Sequence, residues 1–152
     1  MLKAFNIPFK PHYVGLYSGT MAADLAPLAP AKLVPVLKTP AGHVVQDTLA
    51  MAETLAEAHP GAELWPRDPA ARALARGIVA EMHSGFGAVR GECPMNLQNG
   101  WSAFAVSDAV KTDLERITYL WDMAFDLAGS DTWLFGEYSL ADVFDAPVAA
   151  RI

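Results

Sequence analysis

Lys32-Leu33-Val34-Pro35-Val36-Leu37 and, across a turn, Gln46-Asp47-Thr48-Leu49-Ala50-Met51 form the stretch that decides how this chain is read. Residues 34–37 and 43–46 alternate around Thr39-Pro40-Ala41-Gly42, the pattern of a hairpin with a glycine-containing loop. Pro35 falls where a strand begins, and an X-Pro bond is cis at a cost of only about 0.5–1 kcal/mol. A cis bond at Val34-Pro35 would turn the Val34 N–H and C=O away from the sheet, free to pair with an extended peptide ligand. Asp47 then caps a helix whose apolar face is Leu49, Ala52, Leu55 and Ala56. The unsatisfied N–H groups at such a helix start favour a carboxylate, and the Thr48 hydroxyl adds one more hydrogen bond. Together these groups describe a clamp for a small peptide-like molecule with a free carboxylate. The same residues also suit plainer roles: proline as an edge breaker, aspartate as an ordinary N-cap.

On the N-terminal side, residues 1–5 read as the tail of a helix, closed by Asn6 and stopped by Pro8. Residues 9–16 read as a strand limited by Pro11 and Gly15, and residues 17–33 as a loop with at most a short helix. On the C-terminal side, His59-Pro60-Gly61 ends the first helix, and residues 61–69, broken by Pro66 and Pro69, read as a linker. Beyond it the pattern is helical. Leu74, Ile78, Met82, Phe86 and Val89 mark one face of a long helix. Val110, Leu114, Ile117, Trp121 and Phe125 mark another, with Lys111, Asp113, Glu115 and Arg116 turned outward. Ser139-Leu140-Ala141-Asp142 is a capping box for a third helix, with Tyr138 and Val143 at the positions of a hydrophobic staple.

The bulk composition excludes several classes. With 53% hydrophobic and 18% charged residues, the chain is a packed globular protein and not a disordered one. A net charge of -6, with no cluster of Lys and Arg, argues against a nucleic-acid partner. No apolar run reaches the roughly 18 residues needed to cross a bilayer. The only cysteine, Cys93, excludes an internal disulfide and fits a reducing compartment, so the expectation is a soluble, cytoplasmic protein.

The Val34-Pro35 and Asp47-Thr48 motifs together resemble the glutathione transferases, whose first domain is thioredoxin-like and whose second is all-helical. Residues 32–37 look like the family's segment around its cis-proline, and residues 46–51 are similar to its acidic-Ser/Thr motif for the γ-glutamyl end of glutathione. Leu64-Trp65-Pro66-Arg67-Asp68, residues 80–86 and residues 92–96 look like a bacterial branch, and Ser139-Leu140-Ala141-Asp142 matches the capping box of the family's buried helix. The resemblance runs in order along essentially the whole chain.

It implies an α+β fold: a partial thioredoxin-like glutathione-binding domain over residues 1–60, a linker over 61–69, and a partial all-helical domain over 70–152. It also implies that the family's first strand and helix, with the catalytic Ser, Tyr or Cys at their junction, precede the segment beginning at Met1. The last family helices would likewise follow Ile152. On that expectation no residue here inherits the catalytic role. Val34 and Pro35 would take the cysteinyl backbone of glutathione, and Asp47 and Thr48 its γ-glutamyl group. The partners implied are glutathione as co-substrate, a small electrophile, and a second copy of the chain in a homodimer. A glutathione-dependent isomerase of the maleylacetoacetate type and a non-catalytic glutathione-binding protein remain open alternatives.

Other residues carry less. Cys93 sits in the helical half and reads as a small apolar side chain, and Ser18 follows a strand where a catalytic serine would precede one. His12, His43, His59 and His83 lack the spacing of a zinc site, so no metal is expected. Lys32 could reach the glycine carboxylate of glutathione or be a solvated loop lysine.

Overall fold

A computed structural model describes residues 1–152, which divide into two compact units, Met1–Ala62 and Glu63–Ile152. The architecture is α+β, a small two-stranded sheet among helices followed by a wholly helical remainder.

In the first unit, residues 1–5 form a helical turn closed as the sequence suggests. Asn6 takes a left-handed conformation (φ 53°), with its N–H bonded to the Lys3 carbonyl and the Ile7 N–H to the Leu2 carbonyl. That pair of bonds is a Schellman closure, and the following apolar residue, Ile7, is buried as the motif favours. Residues 9–16, expected as a strand, join no sheet: residues 9–15 have no regular secondary structure and Leu16 begins a turn. Strand formation needs a ladder partner, and the only sheet consists of β1 (Leu37–Lys38) and β2 (Val44–Val45). Pro11 also removes an N–H donor from that segment. Helix α1 (Met21–Leu25) continues into a 3-10 turn at Ala26–Leu28.

Strands β1 and β2 pair antiparallel, Leu37 with Val45 and Lys38 with Val44. Both are shorter than the sequence alternation implied. The Gly42 N–H bonds to the Thr39 carbonyl at 2.9 Å, and Gly42 has φ 88°, a value that glycine tolerates without strain. Helix α2 (Thr48–Ala58) follows, burying Met51, Ala52 and Leu55 while Leu49 and Ala56 are half-buried.

The second unit is built on α3 (Pro69–Ser84), α4 (Gly87–Glu92), α5 (Asp108–Ala128) and α6 (Leu140–Ala149). Helix α3 packs on α6 and α5, and α4 packs on α5. Ile78, Val79, Val89, Val110, Ile117, Leu140 and Val148 are almost wholly buried, with Leu64 and Trp65, just before α3, buried as well.

Two helical expectations change. The long helix through Phe86 and Val89 is two helices. Gly85 ends α3, and a Cβ there would lie 2.7 Å from the Glu81 carbonyl oxygen, so the chain turns off the helix at the residue that permits it. Phe86 then adopts φ 56° and starts α4, yet it and Val89 remain buried as the periodicity implied. On α5 the buried face is Val110, Ile117, Leu120 and Ala124, with Leu114, Trp121 and Phe125 at its half-buried margin.

Asp113 is likewise not a solvated charge. Its Oδ2 accepts from the N–H groups of Ala88 (3.0 Å) and Val89 (3.1 Å), so α5 supplies the cap that Phe86 cannot give to α4. At the other end, Arg151 donates to the carbonyls of Cys93 (2.8 Å) and Arg90 (3.3 Å). A six-residue helix is too short to persist alone in water, so these outside caps hold it. Asp113→Ala is expected to cost about 1–2 kcal/mol, the range for losing an N-cap. Hydrogen exchange should show the loss in α4 while α5 keeps its protection; equal protection of α4 in both proteins would refute the capping role.

Candidate functional site

The candidate site lies in the first unit, where the hairpin enters α2. The β1–β2 ladder starts at the Leu37–Val45 pair, so residues 34–36 and 46–48 lie just beyond its open end. Both sequence motifs therefore lie next to the same, open end of the hairpin. A side chain reinforces that alignment: Gln46 Oε1 accepts from the Lys32 N–H at 2.6 Å. Gln46 was quoted in the motif but given no role in the sequence reading. Its signal was positional, since the same register sets it opposite Val36, close to the segment it holds.

Val34 is 37% exposed, and the Val34-Pro35 peptide bond is cis. No group of the chain bonds to the Val34 N–H or C=O. Pro35 is exposed beside it. Asp47 is exposed, with φ 84° and ψ 137°, and its Oδ1 accepts from the Leu49 N–H at 2.8 Å. Thr48, half-buried, is the first residue of α2. An unbonded backbone donor and acceptor thus lie on an exposed residue at the open end of the hairpin, whose second strand runs on into a helix that opens with a carboxylate and a hydroxyl.

The Lys32 side chain is exposed, and the residue also lines a small cavity of about 300 Å³ with Ala22, Leu25, Ala29, Pro30 and Ala31. The cavity wall is apolar apart from that lysine. Ser18 is held locally, its hydroxyl donating to the Gly15 carbonyl (2.9 Å) and meeting Thr20 Oγ1 (2.7 Å).

The second unit holds a larger cavity of about 540 Å³, walled by Trp65, Arg67, Phe135, Glu137 and Tyr138 among others, with Arg67 ion-paired to Glu63. None of the residues singled out as ligand contacts lies there. Cys93 is half-buried, and its carbonyl is occupied by Arg151. No three His, Cys, Asp or Glu side chains converge as a metal site, and no helix is long and apolar enough to cross a membrane.

Comparison with known proteins agrees with the fold of the first unit. Residues 1–58 match the family described as glutathione S-transferase, N-terminal domain. The chain is also similar to a protein of Caenorhabditis elegans named "Probable maleylacetoacetate isomerase", 36% identical over 81 residues. That alignment covers 53% of this chain and 37% of the relative, so the chain spans well under half the relative's length.

Proposed function

We propose that this chain, a member of the glutathione S-transferase superfamily by its match over residues 1–58, binds glutathione and conjugates the thiol to a small electrophile. The observation that carries the binding half is the unbonded Val34 backbone beside the open end of the hairpin that leads into α2, where Gln46 holds the Lys32 N–H. In this reading the Val34 N–H and C=O pair with the cysteinyl backbone as an added strand would, with Pro35 fixing their direction. The γ-glutamyl end is a zwitterion, which suits a site of mixed charge. Its carboxylate takes the Thr48 hydroxyl and the α2 N-terminus, and its ammonium takes Asp47. These four residues have binding roles, and none of them is assigned the activation of the thiol. That activation consists of a donor hydrogen-bonding the thiolate and lowering the thiol pKa. A cytoplasmic homodimer belongs to the same reading.

The relative's name favours a second reading, a glutathione-dependent isomerase of the maleylacetoacetate type. The two differ in stoichiometry: conjugation consumes glutathione, and isomerisation returns it. Following free thiol with a generic electrophile, and again with a cis-unsaturated diketo acid, separates them. Binding without turnover of either would leave a glutathione-binding protein.

Calorimetric titration of variants tests the site itself. Thr48→Ala should weaken glutathione binding about tenfold or more, since a hydrogen bond to a charged group contributes about 1.5–3 kcal/mol. Ser18→Ala, whose hydroxyl is committed to its own loop, should leave the affinity unchanged. Equal affinities for the two variants would remove Thr48 from the site.

A further inference from the structure

Helix α6 carries a carboxylate that the proposed function does not use. Asp145 is 5% exposed, inside a face otherwise formed by Leu140, Ala141, Phe144 and Val148. Its Oδ1 accepts from Trp121 Nε1 of α5 at 2.8 Å, while its Oδ2 is buried with no partner. The charged and titratable groups around it do not help. Asp142, one turn earlier on α6, is negative, and His83 of α3 turns its ring edge-on to Phe144, centroids 6.4 Å apart. Burial pushes the Asp145 carboxyl up to about 6; the Trp121 hydrogen bond works against this and Asp142 adds to it. A buried carboxylate oxygen without a donor is costly when ionised, and much less so when it carries a proton.

The same stretch of α6 is weak in its backbone. Pro147, inside the helix, offers no N–H to the Val143 carbonyl. Just past the helix, Arg151 holds the end of α4 through the Cys93 and Arg90 carbonyls.

We propose that Asp145 is a proton-gated latch between α6 and α5: neutral, it stays buried beside Trp121, and ionised, its partnerless Oδ2 draws the carboxylate toward water against the hold of the Trp121 bond. The second half of α6, around Pro147, is the part that gives, and its loosening unpins α4 through Arg151. The direction follows from linkage. The folded-state carboxyl lies above its ordinary value, so the stabilisation is complete below the ordinary value near 3.8 and is lost as pH rises through about 6.

Hydrogen exchange on the whole chain tests the latch, run at about pH 5 and about pH 7.5 and corrected for intrinsic exchange rates. In the wild type, protection of the second half of α6 should fall about tenfold or more relative to α5 at the higher pH, since each unit of pKa shift is a factor of ten. Asp145→Asn keeps an oxygen for Trp121 and cannot ionise, so its α6 should show no such fall. Trp121→Phe keeps a ring but removes the donor, so α6 should exchange faster than wild type at both pH values. A fall of equal size in Asp145→Asn, no fall in the wild type, or unchanged exchange in Trp121→Phe would each overturn the latch.

Discussion

Asp142→Ala is expected to destabilise the helical unit by about 3 kcal/mol, the sum of a lost N-cap device and hydrogen bonds to a carboxylate. Its Oδ2 accepts from the Ser139 N–H (2.8 Å) and the Ser139 hydroxyl (3.2 Å), and its Oδ1 from the Leu134 N–H (3.0 Å). One side chain thus completes the capping box of α6 and pins the loop that leads into it. Alanine would strand the backbone donors of Leu134 and Ser139 beside a core, and leaving buried donors unmet costs more than the net value of the bonds. Ser139→Ala removes the reciprocal half alone and should cost about 1 kcal/mol. The capping box also fixes where α6 starts, and there the Leu140 N–H bonds to the Leu64 carbonyl at 2.8 Å. Loss of the box therefore loosens the segment that leads into α3. Urea unfolding followed by circular dichroism measures both variants. A loss for Asp142→Ala no larger than that for Ser139→Ala would show that the loop bond carries nothing.

The capping box was legible in the sequence because every participant lies within one helical turn. The Asn6 closure was legible for the same reason, as was the Asp47 cap, whose Oδ1 reaches only two residues along the chain. What escaped was non-local or contrary to periodicity. Residues 9–16 have strand composition, but a strand exists only with a partner, and composition does not name one. The apolar spacing from Leu74 to Val89 runs unbroken through Gly85, because burial of Phe86 and Val89 is preserved across the break. Gly85 was the local clue, since an interior glycine weakens a helix by about 1 kcal/mol. Asp113 and Gln46 act through backbone donors 24 or 25 and 14 residues away, which no window of the sequence displays. In the candidate site the residue types were readable, whereas the φ of 84° at Asp47 was not. Nothing in an Asp-Thr pair announces a backbone angle that glycine would ordinarily take.

That angle sets up a test in which stability and binding move in opposite directions. With φ 84° and ψ 137°, Asp47 sits in a region costing a non-glycine residue about 1–3 kcal/mol. Asp47→Gly removes that strain, gives up only a few tenths of a kcal/mol of capping, and costs about 0.5–1 kcal/mol of backbone entropy. The net expectation is a first unit more stable by about 1 kcal/mol. Asp47→Ala keeps the Cβ and its strain and loses the cap, so it should be less stable than wild type by about 0.5–2 kcal/mol. Both variants lose the carboxylate proposed to take the γ-glutamyl ammonium. Each should therefore bind glutathione about tenfold or more weakly, since a charged hydrogen bond contributes about 1.5–3 kcal/mol. On the proposed reading, that strain is the cost of aiming the carboxylate at a ligand. Thermal unfolding and calorimetric titration of the two variants separate the claims. A destabilised glycine variant would show that Asp47 is not strained, and an unchanged affinity in both would show that its carboxylate serves only the helix.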